Sequence, residues 1–343
     1  MKINRSAINK AASKGLITQD QADNLWTYFT DLNKGNPSFN LTHILYYLGG
    51  LIAIGAMSLF MTLGWEKFGG WGIFFIALVY AGIGLWLLHY FTRRTLAIPA
   101  GIMGAFVVAL TPLAIYGLQQ ALGFWDGEHT YRDYHRYIDW NWLLMELGTL
   151  ASGAVLFWRY RLPFMVMPVA VTLWYLSMDL TPFLFHDLDR NWELRKLVSL
   201  FFGLLMTLFA FWVDIRSRRS KDFAFWLYLF GVLAFWGGLS LMKSDSELNK
   251  FIYMCINLAM IFTGAVISRR VFSVFGGLGL AGYFGHLAYD VFKDSMLFPF
   301  FLSVIGFGVI YLGFVWQKHE QSITTKLRSW LPGRLRETIE NIH

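Results

Sequence analysis

The sequence predicts an all-α fold: a polytopic integral membrane helical bundle of about ten transmembrane helices, with N-terminus and C-terminus cytoplasmic. Three observations predict it. Hydrophobic residues make up 56% of the 343 residues and charged ones 15%, with a mean hydropathy of +0.46, which leaves no room for a large soluble domain. The apolar residues gather in runs of about 20, the length at which a helix rising 1.5 Å per residue crosses a hydrocarbon core of roughly 30 Å. The basic residues then alternate between successive gaps separating those runs. This is the bias that orients membrane helices with their cations on the cytoplasmic side. The net charge of +7 therefore does not point to nucleic acid, which would need a basic face interleaved with exposed aromatics.

Residues 1–40 read as a cytoplasmic helical hairpin. One helix runs from Arg5 to Lys14, and Gly15 supplies the left-handed position that ends it. Thr18, with Gln21 three residues on, makes a capping box for a second helix reaching about Lys34. Gly35, Asn36, Pro37 and Ser38 then break the pattern. The segment is polar, without a short apolar core or a small-residue cleavage site, so the first span is expected to direct insertion and the N-terminus to stay inside.

Residues 41–316 form the transmembrane domain. Its candidate spans are 41–64, 69–91, 96–122, 141–160, 163–182, 194–214, 223–242, 251–268, 271–292 and 296–316. With the N-terminus inside, the outer segments hold Lys67, Arg132, Arg136, Arg190, Arg195, Lys196, Lys243, Lys250 and Lys293, and the other 20 of the 29 basic residues fall inside. Spans descending to the cytoplasm end in an aromatic and then a cation, as in Trp158-Arg159 and Trp212 before Arg216, which interfacial belts explain without a ligand. Pro99, Pro112, Pro163, Pro168 and Pro299 interrupt spans, a pattern shared by transport sites and by ordinary packed bundles. The ninth span carries Gly277, Ala281 and Gly285 four apart, a small-residue stripe expected to bury one side against a neighbouring helix. Residues 317–343 form a cytoplasmic amphipathic basic tail, with Ile323, Leu327, Trp330 and Leu331 on one face beside Lys326 and Arg328. It is expected to lie on the anionic inner leaflet or to bind a protein partner.

The hairpin motif GLITQDQADNL, Gly15 to Leu25, is followed by YYLGGLIAIGAMSLFMTLGWEKFGGW, Tyr46 to Trp71. This N-terminal third resembles the family of bacterial predicted membrane proteins catalogued as domain of unknown function 2157. Their similar features are a short Gly, hydrophobic-pair, Gln-Ala hairpin, a Gly-rich first span and a Trp-containing link to the second. The resemblance implies a multi-pass protein of the bacterial cytoplasmic (inner) membrane. It implies no activity and no site residues.

Ionisable groups inside spans carry the remaining chemistry, because each costs at least about 2.5 to 3.5 kcal/mol at a helix centre and needs a partner or water. Glu146, Asp179, His286 and Asp290, with Gln119 and Gln120, all fall in the outer half of their spans, where Arg195 and Lys196 stand ready to neutralise carboxylates. They outline an outer-facing polar vestibule for a small or amphiphilic, lipid-like molecule. Each alone reads equally as a group reaching interface water or a backbone carbonyl. His286 and Asp290, four apart, suit a hydrogen-bonded pair, one residue short of the spacing of membrane acyltransferases. The outer loop 124–140 holds His129, His135 and several carboxylates in no established metal-site spacing, and the single cysteine, Cys255, excludes an internal disulfide. No cofactor or metal is expected, and no phosphate-binding loop, nucleophile elbow or zinc-protease motif occurs. The reading leans to a non-enzymatic protein with membrane lipids as partners, and leaves a membrane enzyme acting on lipid-linked substrates as a third reading. Its alternative is an assembly or sensory subunit docking partners through hairpin and tail.

Overall fold

The computed structural model describes residues 5–33, 41–63, 68–125, 140–184, 191–216, 222–242 and 246–287, with scattered positions from 299 to 318. All regular structure among these residues is helical. The N-terminal hairpin is formed by α1 (Arg5–Ser13) and α2 (Gln19–Asn33). Gly15 sits at φ 72°, and its amide and that of Leu16 bond back to the carbonyls of Ala12 and Ala11 at 2.9 and 3.1 Å. A side chain resists that conformation, so α1 ends there. The Thr18 amide donates to Gln21 Oε1 at 2.9 Å and the Gln21 amide to Thr18 Oγ1 at 3.2 Å. The capping box is present, and α2 starts from it. Ile8 and Ala22 are buried.

The longer helices are α3 (Leu41–Leu63), α4 (Gly69–Arg93), α5 (Ala97–Ala121), α6 (Trp140–Tyr160), α7 (Val166–Leu184), α8 (Asn191–Arg216), α9 (Ala224–Ser240), α10 (Glu247–Val266) and α11 (Arg270–His286). They match the first nine apolar runs in order. The tenth run is only sparsely described, and the tail beyond residue 318 lies outside the described residues. Among the described residues, four helices are long and apolar enough to cross a membrane: α4, α5, α8 over Trp192–Arg216, and α10. The apolar helix α9 and the Ile44–Met57 stretch of α3 are shorter. Of the prolines that interrupt apolar runs, Pro99 and Pro168 lie in the first turns of α5 and α7, and Pro163 opens a 3-10 turn, Pro163–Met165. At those places the missing N–H has no intrahelical acceptor to lose. These prolines start helices, and Pro112 alone of the four stands inside one. Pro299 falls in the sparsely described stretch.

The chain divides into two compact units. The first holds α1 to α5, the second half of α6 and the 3-10 turn. Its centre is α5, whose apolar window is 67% buried against 22% for α4. A Cβ on Gly117 would stand 2.6 Å from the Phe74 amide nitrogen and 2.9 Å from the Gly70 carbonyl oxygen, so α4 and α5 meet backbone to backbone. Leu88, Ala100, Leu162 and Met165 form a buried cluster beside them.

The second unit holds the first half of α6 and α7 to α11. Here α8 and α9 meet in the same way: a Cβ on Gly203 would stand 2.6 Å from the Gly231 carbonyl, and one on Gly238 would stand 2.6 Å from the Lys196 carbonyl. In the α10–α11 pair, Gly276 lies under the Asn257 carbonyl at 2.6 Å from where a Cβ would be, and Gly279 lies against the Asn257 side chain. The buried side of α11 is therefore Phe272, Gly276 and Gly279. This corrects the expected stripe. Ala281 is exposed, and a Cβ at Gly277, Gly282 or Gly285 would meet no described atom within 4 Å. The periodicity of small residues reveals candidate faces on a helix that is apolar all round, but it cannot say which face a neighbour takes.

Arginines at three helix ends rest on aromatic rings: Arg94 over Tyr90 at 5.0 Å, Arg159 over Tyr160 at 5.4 Å and Arg216 over Trp212 at 5.6 Å. Exposed aromatics recur near both ends of the same helices. The pairs are Trp71 and Tyr90, Trp140 and Trp158, and Trp192 and Trp212. They stand about 27 to 30 Å apart along each axis at 1.5 Å per residue, which matches a bilayer core bounded by aromatic belts.

Gly231→Val should lower stability by about 1 to 3 kcal/mol through overpacking, because its Cβ would be 2.8 Å from Thr207 Oγ1 and 3.0 Å from the Thr207 amide nitrogen. Gly277→Ala, on the open side of α11, should instead leave the melting midpoint unchanged or raise it. Thermal unfolding of the two purified variants checks both outcomes.

Candidate functional site

The structure brings two of the expected site residues together. Glu146 on α6 is 8% exposed, and its carboxyl hydrogen-bonds to that of Asp179 on α7. Glu146 Oε2, fully enclosed, has no hydrogen-bond partner among the described residues. The face of α6 that carries Glu146 is buried because Met145 and Thr149 flank it, and the Thr149 hydroxyl donates back to the Met145 carbonyl at 2.6 Å. Such back-bonding satisfies a hydroxyl within its own helix, leaving the enclosed carboxyl as the unanswered polar group of that turn. Two carboxyls bond to one another only through a proton carried by one of them, so the pair can hold a proton or exchange it for a cationic or hydrogen-donating ligand group.

A relay fixes α7 against its neighbours. Trp174 Nε1 donates to Ser199 Oγ on α8 at 2.9 Å, and Ser199 Oγ donates to the Ala234 carbonyl on α9 at 2.9 Å. One turn earlier on α8, Lys196 is 4% exposed; its ammonium donates to Glu193 and, at 3.2 Å, to the carbonyl of Leu241 at the end of α9. Lys196 thus caps an orphan carbonyl at a negative helix end. Two of its three N–H donors are thereby engaged away from Glu146 and Asp179. Arg195, beside it, has its buried Nε without a hydrogen-bond partner among the described residues.

The remaining candidates stand elsewhere. His286 Nε2 lies 3.5 Å from Glu247 Oε1 on α10, and that same oxygen accepts from Lys250 Nζ at 2.7 Å. The partner found for His286 is therefore a glutamate at the head of α10. Asp290, its expected partner, lies outside the described residues, as do residues 126–139 of the outer loop. Gln119, near the end of α5 in the first unit, is buried and accepts from Trp125 Nε1 at 3.2 Å. Among the described residues no group of three or more His, Cys, Asp or Glu side chains converges as a metal site. Cys255 is exposed.

Two polar constellations escaped the sequence reading. Asp214, 9% exposed at the end of α8, receives both Nε and Nη2 of Arg269 at 3.0 and 2.5 Å. Arg269 is the residue before α11, and its guanidinium lies 5.3 Å over the Tyr228 ring of α9. Tyr228 in turn meets Phe272 edge-on at 5.7 Å. This one bidentate pair ties three helices at one end of the unit. The residues 55 positions apart carry no local signal, although Asp214 among basic neighbours hints at a pairing role. Asn257, fully buried on α10, donates to the Tyr253 carbonyl at 2.8 Å while its Oδ1 faces Gly279. A lone polar residue inside an apolar run was its only mark in the sequence.

Comparison with family models, curated proteins and solved structures finds no match to this chain. Breaking the buried pair by Arg269→Ala should destabilise the fold by about 3 kcal/mol, because Asp214 is left enclosed and uncompensated. The double variant Asp214→Asn/Arg269→Met should recover part of that loss. Chemical denaturation of the two reads the difference.

Proposed function

We propose that this chain is a multi-pass integral membrane protein of about ten spans with both ends in the cytoplasm. It recognises or moves a small or amphiphilic molecule through an outer-facing polar vestibule. The observation that carries this reading is the Glu146–Asp179 pair: two carboxyls bonded to each other within helices that are otherwise apolar, one oxygen of Glu146 left without a partner. An ionisable group is retained in such surroundings at several kcal/mol unless a use repays it. The fixing of α7 by the Trp174–Ser199–Ala234 relay supports a held site, since a binding constellation needs neighbours that lock its rotamers. His286, Asp290 and Arg195 belong to the same outer rim in this reading, and Gln119 is a further polar group of the first unit. The apolar helices long enough to cross a membrane support residence in a membrane, which this reading takes to be the bacterial cytoplasmic one.

A second reading has its own observation. Leu16 and Tyr28 on the capped N-terminal hairpin are 74% and 61% exposed, a surface suited to a protein partner. In that case the helical domain is an anchor for an assembly or sensory subunit, and the hairpin and tail do the binding.

One experiment separates them. A panel of primary amines and lysolipids is screened by thermal shift on the purified full chain, on Glu146→Gln and on a variant lacking residues 1–37. The vestibule reading expects a stabilising compound whose effect vanishes in Glu146→Gln and survives the deletion. A compound that stabilises wild type and Glu146→Gln equally contradicts it. Loss of co-purifying proteins on deletion, with no stabilising compound, favours the anchor.

A further inference from the structure

Two helix ends in different units are built alike. On α4, Trp86 stacks on Tyr90 with ring centroids 5.8 Å apart, and the Arg94 guanidinium caps the column 5.0 Å above Tyr90. On α8, Phe209 stacks on Trp212 at 5.7 Å, and Arg216 caps that column at 5.6 Å. The spacing of three and four residues places each set on one helical face, one above the next. All six side chains are exposed. Among the described residues neither guanidinium has a carboxylate partner, in contrast to Arg269, whose donors are taken by Asp214. A guanidinium lying on a ring keeps its in-plane N–H groups available, and their fork matches two oxygens of a phosphodiester.

The exposed surface that continues each column decides what the occupant is. Along α4 it runs through Phe75, Val79 and Ile83, and along α8 through Phe201, Leu205 and Leu208, all exposed. An acidic peptide or a free anion would satisfy the arginine but make no contact with those strips. A phospholipid satisfies both, its phosphate on the cation and its acyl chains along the strip. We propose that each aromatic–aromatic–arginine column is a seat for one anionic phospholipid of the inner leaflet, with Arg94 and Arg216 gripping the phosphate. The inner-leaflet assignment rests on the membrane-spanning reading above: α4 and α8 are the second and sixth spans, so both C-termini face the cytoplasm. The net positive side of the chain then meets the leaflet that carries negative lipid.

The test uses the full chain in dodecyl maltoside, titrated with dioleoylphosphatidylglycerol and followed by native mass spectrometry. Arg94→Gln and Arg216→Gln should each weaken binding at one seat about five-fold, the effect of removing one surface cation. Dioleoylphosphatidylcholine should bind more weakly to wild type and be less affected by the substitutions. Inorganic phosphate and a polyglutamate peptide should not displace the lipid. Tyr90→Leu and Trp212→Leu, which leave the charge in place, should each lose part of the affinity, as should Arg94→Lys. The proposal is overturned if the Gln variants bind the anionic lipid as wild type does. It is also overturned if Arg94→Lys and Tyr90→Leu keep full affinity, because net charge alone would then suffice. Displacement by phosphate or peptide would assign the arginines to a soluble anion or a protein instead. Partition of the chain into vesicles, measured separately, tells failure of the spans from failure of the seats.

Discussion

The second unit depends on the close approach of α8 to α9. At Gly203 and Gly238 there is no room for a Cβ, since backbone atoms of the facing helix already occupy that space. Close backbone approach maximises dispersion between the two helices. It also sets the distances over which side chains reach. Ser199 can bond to the Ala234 carbonyl and Lys196 to the Leu241 carbonyl only because the two helix surfaces touch. At the other end of α8, the Asp214–Arg269 pair with Tyr228 joins the same hairpin to α11. A glycine seam in the middle and a polar lock at each end make α8 and α9 one rigid frame.

The candidate site inherits its order from that frame. α7 hangs on it through Trp174, and α7 presents Asp179 to Glu146 of α6. The chain of consequence thus runs from glycines that permit contact, through hydroxyls that use it, to a carboxyl pair held in an apolar setting. Several polar groups inside the unit are answered locally: Thr149 and Ser177 each bond a carbonyl of their own helix, and Lys196 and Asp214 are committed to named partners. Glu146 Oε2 is one of several enclosed polar atoms without a hydrogen-bond partner among the described residues, and it is the carboxyl oxygen among them.

Much of the fold was legible because its signals are local. The stop at Gly15 and the capping box at Thr18 and Gln21 are written within seven consecutive residues, and apolar runs mark nine helices in order. Facing was not legible. Gly276 and Gly279, one and two residues from the Gly277 stripe, are the ones packed against α10, and no periodicity distinguishes them on a helix with apolar residues on every side. Nor was partnership. The contacts of Lys196 with Glu193 and the Leu241 carbonyl, and the approach of Glu247 to His286 from another helix, join residues whose spacing in the chain gives no sign of it. Glu146 was recognisable by its depth, an argument from burial energy, but its union with Asp179 across 33 residues of chain required coordinates. The prolines mislead for a related reason, since a proline in the first turn and one in the interior look alike until the helix start is known.

The central claim is that α6 and α7 hold Glu146 and Asp179 side by side within the bundle. It is tested most directly in membranes with a Glu146→Cys/Asp179→Cys variant on a Cys255→Ala background, treated with a short bis-methanethiosulfonate cross-linker. Proteolysis in the loop between α6 and α7 then reports whether the two helices remain joined. The account predicts that they do, and that Glu146→Cys paired with Val155→Cys, two and a half turns away on one helix, leaves α6 and α7 separable. Two fully reactive thiols at 146 and 179 with no link between the helices would contradict it.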